Sequence, residues 1–340
     1  MLGPRLVFVT AGALALALVL AGALWNGRPA CQRAEAPGGC HSGPMSQVAH
    51  TSHPMALVTG ASSGIGKQFA EQLAAKGHGL VLVARDRERL EALAIHLGTH
   101  YGVPTEVLSA DLTQRADIER VARRIRQDEA PVTVLVNNAG YGLGTGFLRS
   151  EIDDEEDALT VMVRAVMVLS QAAAQRMADR GAGVIINVSS VASLLPYGTY
   201  GALKAWVTRF SEGLALDLHG TGVHVQALLP GLTHTEFHAR SGEKFGGAPE
   251  WMWLPAEKVV RESLAAVGSG EVTCVPGLQY KAAMLVLPRL PRRVVLALVQ
   301  RANERDRAAR AARRSVTTRA EGPPREHLEE PAGDSLPSGA

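Results

Sequence analysis

Thr59-Gly60-Ala61-Ser62-Ser63-Gly64-Ile65-Gly66 is the stretch that decides the fold, because it follows a short apolar run and opens a long amphipathic one. A strand, a tight glycine turn and a helix N-terminus in this order form a site for the phosphates of a dinucleotide. Gly60 permits the turn, Gly64 lets the backbone approach the pyrophosphate, and Gly66 lets helix and strand pack closely. The free N–H groups and the dipole of the helix N-terminus attract phosphate. A glycine-rich loop with only a topological role is the alternative.

Short apolar runs alternate with longer amphipathic stretches from Met55 onward, which is typical of successive βαβ units. The apolar runs predict strands near 55–59, 79–84, 105–109, 132–136, 183–188, 223–229 and 271–275. The amphipathic stretches predict helices near 64–76, 86–100, 114–129, 153–179, 199–219 and 256–267. Right-handed crossovers then give an α/β fold, a Rossmann-type doubly wound parallel sheet of about seven strands with helices on both faces.

The composition indicates one globular domain with appendages at both ends, since 46% of the 340 residues are hydrophobic and 20% are charged. We place the main domain at 54–276, after an N-terminal apolar segment at 1–28 and a linker at 29–53. A basic helical extension at 277–320 and a disordered tail at 321–340 are expected to follow. The net charge of +2 does not favour a nucleic-acid partner, and the three cysteines lack metal-ligand spacing, so no metal site is expected.

The run from Leu6 to Trp25 is uncharged and long enough to span a bilayer as a helix. We favour a membrane anchor, and the basic residues Arg28 and Arg33 after the run place the main domain in the cytoplasm. Two alternatives stay open: a cleavable signal peptide, and an over-extended translation start with the protein beginning near Met45.

The C-terminal extension allows several interpretations. Residues 278–300 mix apolar residues with Pro288, Pro291 and basic residues such as Arg289. A helix packed on the domain, a lid, a membrane-surface helix and a partner contact all stay open.

The end of the second predicted strand indicates which dinucleotide binds. A site that prefers NAD normally has a carboxylate here for the ribose 2′-hydroxyl, whereas this chain has Ala84 followed by Arg85. An arginine suits a 2′-phosphate through charge-assisted, forked hydrogen bonds. The sequence therefore predicts NADP(H), with Arg85 at its 2′-phosphate. The alternative is that Arg85 is solvated and that cofactor choice is loose.

Further short motifs follow the glycine run in order: Asp111-Leu112, Asn137-Asn138-Ala139-Gly140, Ser189-Ser190, Tyr200-Gly201-Ala202-Leu203-Lys204, and Pro230-Gly231 with Thr235. With them the chain resembles the short-chain dehydrogenase/reductase family over about two-thirds of its length. The stretches 198–206, 230–237 and 275–281 resemble most the branch that contains DltE-type reductases and reductases of long-chain β-keto acyl lipids.

The resemblance implies how the adenosine half of the cofactor is held. Asp111 hydrogen-bonds the adenine and Leu112 flanks it. Asn138, Ala139 and Gly140 line the ribose side and brace the central strand.

It also implies that Pro230, Gly231 and Thr235 hold the nicotinamide, Thr235 through the carboxamide or a phosphate. The residues expected to bind the cofactor are then Thr59, Gly60, Ser62, Ser63, Gly64, Ile65, Gly66, Arg85, Asp111, Leu112, Asn138, Ala139, Gly140, Tyr200, Lys204, Pro230, Gly231 and Thr235.

Tyr200 and Lys204 stand one helical turn apart on a predicted helix. Hydride transfer to a ketone builds negative charge on oxygen, which then needs a proton donor and a hydrogen-bond partner. Free tyrosine carries protons poorly at neutral pH, and a neighbouring ammonium favours tyrosinate. We predict Tyr200 as general acid in reduction, Lys204 as the group that tunes it and binds the nicotinamide ribose, and Ser190 as the residue that orients the carbonyl. Ser189 or Ser193 in place of Ser190, and a surface Tyr–Lys pair without chemistry, stay open.

Two features depart from the family pattern. The family usually has an asparagine in the long helix after strand four, where it helps to hold a water relay to the lysine, and this chain has Met162 there. We expect impaired or rerouted proton supply, and we expect Met162 and Met167 to be core residues. The spacing from Ser190 to Tyr200 is also shorter than usual, so a tighter path must bring the two side chains together.

The substrate wall is expected from the apolar residues Phe237, Trp251, Trp253 and Leu254, with core packing as the alternative. A hydrophobic pocket beside a membrane anchor suggests a lipid-like ketone. We therefore expect an NADPH-dependent carbonyl reductase acting on a lipophilic ketone or β-keto acyl compound. A hydroxysteroid or alcohol dehydrogenase in the oxidative direction and a non-catalytic NADP(H)-binding relative are the alternatives. Family relatives are often dimers or tetramers built on the two long helices, so a homo-oligomer is expected.

Overall fold

A computed structural model of the protein describes residues 53–144, 146–237 and 248–301 together with residue 304. Its strands are β1 Met55–Thr59, β2 Gly79–Ala84, β3 Thr105–Ser109, β4 Val132–Asn137, β5 Gly183–Val188, β6 Val223–Leu228, β7 Thr233–His234, β8 Leu254–Pro255 and β9 Thr273–Cys274. Seven of these strands form one parallel sheet in the order β3-β2-β1-β4-β5-β6-β9. The strand order reverses between β1 and β4, and ligands of such sheets bind at that crevice.

Up to residue 286, the described residues form seven helices: α1 Gly64–Ala74, α2 Arg87–Tyr101, α3 Arg115–Arg126, α4 Ile152–Arg180, α5 Gly198–Asp217, α6 Ala256–Gly268 and α7 Leu278–Val286. The predicted fold class and strand number are confirmed, and the predicted helices and strands end within a few residues of the observed ones. Two features were not predicted. Strands β7 and β8 pair as a separate small sheet, and α4 contains a π-helical turn at Thr160–Arg164.

The sheet separates two apolar layers. Along β1, Ala56 and Val58 face one layer, whereas Met55 and Leu57 face the other. Every residue of β1 is buried, as expected for a parallel strand that helices cover on both faces. Burial of a valine or leucine side chain contributes about 1.5–3 kcal/mol. The strands are therefore fixed from both sides, and the loops at their carboxyl ends are held in place by this core.

A buried polar network ties the two long helices to the centre of the sheet. The Asn137 side-chain amide donates to Ser170 Oγ at 3.0 Å and to Asn187 Oδ1 at 2.8 Å. The Asn187 amide donates in turn to Ser211 Oγ at 2.9 Å. These four residues lie on β4, α4, β5 and α5 and are buried. The network therefore sets the positions of α4 and α5 relative to the strands.

Among the described residues, α4 alone is long and apolar enough to cross a membrane, and 56% of its most apolar window is buried. It packs on α3, β4 and β5, so we interpret it as a core helix. The apolar segment at 1–28, the linker up to residue 52 and the tail at 321–340 lie outside the described residues.

The described part of the C-terminal extension begins with α7, which buries Tyr280 and Ala282. Tyr280 belongs to the same apolar layer as α1 and α6. For α7, the interpretation as a helix packed on the domain is therefore correct. Residues 292–301 are also helical.

Candidate active site

The glycine turn after β1 has no room for larger residues. A Cβ atom on Gly60 would lie 2.8 Å from Asn138 Nδ2, and a Cβ atom on Gly66 would overlap the Gly60 carbonyl oxygen. Gly60 also has a backbone φ of +65°, which residues other than glycine rarely adopt. Thr235 packs above the turn, since a Cβ atom on Gly64 would lie 3.1 Å from Thr235 Cβ. The turn therefore brings bare backbone to the crevice, close to the loop after β6.

Thr59 and Asn138 hold this turn by hydrogen bonds between neighbouring strands. Thr59 Oγ1 accepts from the backbone N–H groups of Asn138 and Ala139 at 2.9 and 3.0 Å. The Asn138 side chain donates to the Thr59 carbonyl at 2.9 Å and lies 3.3 Å from that of Gly60. Thr59 was predicted as a cofactor contact, and its side chain acts here as a brace that fixes the ends of β1 and β4.

The N-terminus of α1 suits a phosphate. Ser63 is its N-cap residue and makes no side-chain capping bond, and the first turn carries no acidic residue. The first N–H groups of any helix lack partners within it and point outward. Ser62, Ser63 and Ile65 are half-buried beside these groups. The residues present therefore fit the pyrophosphate of a dinucleotide.

The adenine side of the crevice is formed by the ends of β2 and β3. Arg85 is exposed directly after β2. Asp111 follows β3, and its Oδ1 accepts from the N–H and hydroxyl of Thr113, both at 3.0 Å. Leu112 is buried. Asp111 thus shapes its own turn at the end of the crevice where the adenine contact is predicted.

Tyr141, which directly follows Gly140, lies at the same end of the crevice and was not predicted. Burial, together with the charges of Asp157 and Asp154, raises the pKa of Tyr141 to about 12, while the charge of Arg85 opposes this rise. The Tyr141 phenol therefore stays neutral at physiological pH and lies within the electrostatic reach of Arg85.

Tyr200 and Lys204 meet on one face of α5. Lys204 Nζ lies 5.7 Å from the centre of the Tyr200 ring and donates to the Val188 carbonyl oxygen at 2.8 Å. Burial lowers the pKa of Lys204 to about 8. The helix thus holds a buried, readily deprotonated ammonium beside a phenol at the carboxyl end of β5.

Ser190 sits at the start of a short 3₁₀ turn, Val191–Leu194. Its Oγ accepts from Ala192 N at 3.1 Å and lies 3.5 Å from the Pro230 carbonyl oxygen. The structure thus places Ser190 between the ends of β5 and β6, next to the predicted nicotinamide loop.

The neighbouring serines are not equivalent to Ser190. Ser189 is buried, with its Oγ bonded to the Lys204 carbonyl and to Thr208 Oγ1, both at 2.7 Å. Ser193 Oγ is buried and has no hydrogen-bond partner among the described residues. The hydroxyl of Ser189 is thus engaged within the protein and that of Ser193 is buried, so the geometry favours Ser190 for the carbonyl contact, which stays a prediction.

The short connection from Ser190 to Tyr200 closes by direct packing of the 3₁₀ turn on the first turn of α5. A Cβ atom on Gly201 would lie 3.0 Å from the Leu195 carbonyl oxygen and 3.2 Å from that of Ala192. The absence of a side chain at position 201 therefore gives the tighter path that the sequence requires.

Comparison with known proteins identifies the family. A model described as short chain dehydrogenase matches residues 54–245. The chain belongs to the short-chain dehydrogenase family.

Two relatives and one solved structure show how far the similarity extends. The chain is 37% identical to the NADP-dependent 3-hydroxy acid dehydrogenase YdfG of Salmonella typhi, over 57% of this chain and 77% of that protein. It is 31% identical to the very-long-chain 3-oxoacyl-CoA reductase of Anas platyrhynchos, over 74% and 81% of the two chains. A short-chain dehydrogenase from Sphingobium yanoikuyae in complex with NADPH aligns with a TM-score of 0.63 at 35% identity, covering 81% of this chain and 99% of that one. The predicted family membership is confirmed.

Met162 occupies the place of the family's asparagine and is fully buried in the π-helical turn of α4. A Cβ atom on Gly140 would lie 3.3 Å from Met162 Cγ and Sδ and 3.5 Å from Lys204 Nζ. An apolar thioether and the lysine ammonium therefore converge on Gly140. The prediction that Met162 is a core residue is confirmed, whereas the same prediction for Met167 is wrong, since 45% of Met167 is exposed.

Tyr280 on α7 supports the loop that family members use for the nicotinamide. Its ring fills the space at Gly231, where a Cβ atom would overlap it. Its hydroxyl accepts from Leu232 N at 2.9 Å and donates to the Met252 carbonyl at 2.7 Å. Sequence reasoning missed Tyr280, because contact between a glycine and a distant tyrosine has no local pattern.

The four predicted wall residues separate into different environments. The Phe237 ring lies 5.9 Å from that of Tyr200. Trp253 stacks on His234 at 5.1 Å, and Trp251 is half-exposed. Leu254 is buried in the core, which favours the alternative of core packing for this residue. Phe237 is therefore the predicted wall residue that the structure places beside the phenol.

Proposed function

We propose that the protein is an NADP(H)-dependent oxidoreductase that reduces a lipophilic ketone, such as a β-keto acyl compound. The observation that carries the proposal is the pairing of a buried Lys204 with the Tyr200 ring beside the end of β5. Both groups lie at the edge of the sheet where the glycine turn holds phosphates. The named cofactors of the Salmonella and Sphingobium relatives support NADP(H).

The chain's own residues bind the cofactor along the carboxyl edge of the sheet. The N-terminus of α1 binds the pyrophosphate and Arg85 binds the 2′-phosphate. Gly231 and Thr235, with Pro230, border the nicotinamide. When bound there, NADPH supplies the hydride that reduces the carbonyl carbon.

Three side chains supply the remaining chemistry at the carbonyl oxygen. Ser190 Oγ donates a hydrogen bond that orients and polarises the carbonyl. Tyr200 transfers its proton to the developing alkoxide. The Lys204 ammonium stabilises the phenolate that this transfer leaves. Met162 has no exchangeable proton, so protons reach Lys204 by a route other than this position.

The lipophilic substrate class is supported by two observations. Phe237 places an apolar ring beside the Tyr200 phenol, where it would contact the chain of a bound substrate. The Anas relative is named for very-long-chain 3-oxoacyl-CoA reduction. The same three side chains would also serve the reverse reaction, in which NADP⁺ accepts the hydride of an alcohol and Tyr200, as the base, takes the hydroxyl proton. The name of the Salmonella relative as a 3-hydroxy acid dehydrogenase favours this second direction.

To test this proposal, NADPH consumption is measured with 3-oxoacyl-CoA substrates of increasing chain length. Acetoacetate serves as the small hydrophilic ketone for comparison. We expect turnover that improves with chain length and that Tyr200→Phe abolishes. Turnover of acetoacetate alone would contradict the lipophilic substrate. Tight NADPH binding without turnover in either direction would identify a non-catalytic relative.

We also propose that the apolar run at 6–25 holds the cytoplasmic main domain at a membrane, and that α4 and α5 form a homo-oligomer interface. Cell fractionation combined with N-terminal sequencing tests the first point. Recovery of the full chain with membranes would support it. A soluble protein beginning at Met45 would overturn it.

A further inference from the structure

An ion pair joins a helix and a loop that follow strands in opposite halves of the sheet. Arg89 lies in the first turn of α2, after β2, and Glu236 follows β7, in the loop after β6. Arg89 Nη1 and Glu236 Oε2 lie 2.9 Å apart. Strands β1, β4 and β5 separate β2 from β6 in the sheet. The pair therefore spans the carboxyl edge across the crevice where the strand order reverses.

The segment that carries Glu236 passes over the phosphate site. The adjacent Thr235 packs on Gly64, at the N-terminus of α1. On the other side, Arg89 is oriented by Asp86, whose Oδ2 lies 3.3 Å from Arg89 Nε. In the proposed cofactor site, Arg85 and the loop after β6 would bind opposite ends of the dinucleotide. The ion pair joins the helix that follows Arg85 to that loop.

We propose that the Arg89–Glu236 pair is a clasp that closes the 231–237 segment over bound NADP(H) and slows its release. This inference rests on the proposed cofactor. Both side chains are about half exposed, at 48% and 51%, so the pair can open without disturbing the core. Exposed pairs of this kind change an equilibrium by roughly 1.4- to 5-fold and weaken in salt. The clasp therefore acts on the lifetime of the complex and does not determine whether it forms.

The test measures NADPH dissociation by stopped-flow fluorescence, with excess NADP⁺ as the displacing ligand. We expect Arg89→Gln and Glu236→Gln each to raise the dissociation rate about two- to fivefold, and the double variant to add nothing further. Salt should accelerate release from the wild type more than from the variants. Arg87→Gln is the matched control, since it breaks the Arg87–Glu91 pair of 2.8 Å within α2, and it should leave the rate unchanged.

NADH separates the clasp from a direct phosphate contact. A clasp predicts that both variants accelerate the release of NADH as they do that of NADPH. If Arg89→Gln affects only NADPH and Glu236→Gln changes nothing, Arg89 binds the 2′-phosphate and the clasp is overturned. Unchanged release from both variants overturns it equally. Failure of the wild type to bind NADPH would instead refute the proposed cofactor, and the two failures are thus distinguishable without measuring turnover.

Discussion

Lys204, which we propose supports catalysis, destabilises the folded protein because its charged side chain is buried. Its side chain is buried, with one hydrogen bond to the Val188 carbonyl. Burial lowers the pKa of Lys204 from 10.5 to about 8, which corresponds to about 3 kcal/mol against the charged form in the folded protein. The folded state carries this cost below pH 8 and loses it as the pH rises from the folded pKa toward the unfolded one.

Replacing Lys204 by methionine should therefore stabilise the protein while abolishing turnover. The substitution removes the cost of a buried ammonium but leaves the Val188 carbonyl without this donor, so we expect a net gain of about 1–2 kcal/mol at neutral pH. The midpoint of thermal unfolding should rise by a few degrees. Lys281→Met, at an exposed position of α7, is the control and should leave the midpoint unchanged. A lower midpoint for Lys204→Met would contradict this account.

The pKa of Lys204 also predicts how activity depends on pH. Below about pH 8 the side chain is charged and stabilises the Tyr200 phenolate, and above that value it loses its proton. The kcat/KM for ketone reduction should then fall tenfold per pH unit on the alkaline side, because this parameter reports groups of the free enzyme. Lys204→Arg keeps its charge at every accessible pH, so any residual activity of that variant should lack this alkaline limb. An alkaline limb that persists in Lys204→Arg would assign the titration to another group.

At the residue scale, the predictable part of the site was the part set by local geometry. Helical spacing places Tyr200 beside Lys204 whatever surrounds them, and a strand end places Arg85 at the crevice. The hydrogen bonds between polar residues buried in the core could not be predicted from local sequence in this way. Asn187 lies in an apolar strand, and only the folded structure shows that its partners come from β4 and α5.

At the scale of elements, that network predicts a measurable dependence of the sheet on Asn187. Asn187→Leu removes the acceptor of Asn137 and the donor to Ser211. We expect a loss of about 1–3 kcal/mol for the unsatisfied groups, seen as a lower midpoint of urea unfolding. Ser170→Ala preserves the bond between the two asparagines and should cost less. Equal losses for the two variants would show that the network is not centred on Asn187.

The contact between α7 and the loop after β6 predicts a rescue. Gly231→Ala would overlap the Tyr280 ring and should cost about 1–3 kcal/mol through overpacking. It should also weaken NADPH binding, since the loop must move. Tyr280→Ala removes the ring, so the loss caused by Gly231→Ala should shrink in the double variant. Gly213→Ala, where a Cβ meets nothing within 4 Å, is the control and should not destabilise. Additive losses in the double variant would refute the contact.

The sequence predicted those helices and strands that are long enough to show a periodic pattern of apolar residues. Each strand of the main sheet longer than two residues has an apolar run, and each helix that follows it shows helical periodicity. The β7–β8 pair consists of two-residue strands, which have no period to detect. The π-helical turn of α4 inserts into a continuous helical pattern, so the sequence predicted one helix without its irregular turn.

At the scale of the whole molecule, the two long helices on one side of the sheet carry exposed apolar residues. Helices α4 and α5 cover the same side of the sheet. They expose large apolar side chains: Leu159 is 50% exposed, Met167 45% and Leu216 78%. Scattered apolar residues are ordinary on a surface, and we interpret these as part of the proposed interface because they lie on the two long helices. A second copy of the chain, applied by a two-fold axis, would cover the same residues on both partners.

Leu216→Glu should therefore shift the protein toward monomer. Burial of a leucine on association contributes about 1.5–3 kcal/mol, and a carboxylate at the same place in each partner adds repulsion. We expect light scattering to show an oligomer for the wild type and a smaller species for this variant at equal concentration. Ile95→Glu is the matched control, because Ile95 is 70% exposed on α2, outside this face, and its oligomeric state should not change. If both variants dissociate alike, general surface charge rather than this face governs assembly, and a monomeric wild type would show that α4 and α5 form no interface.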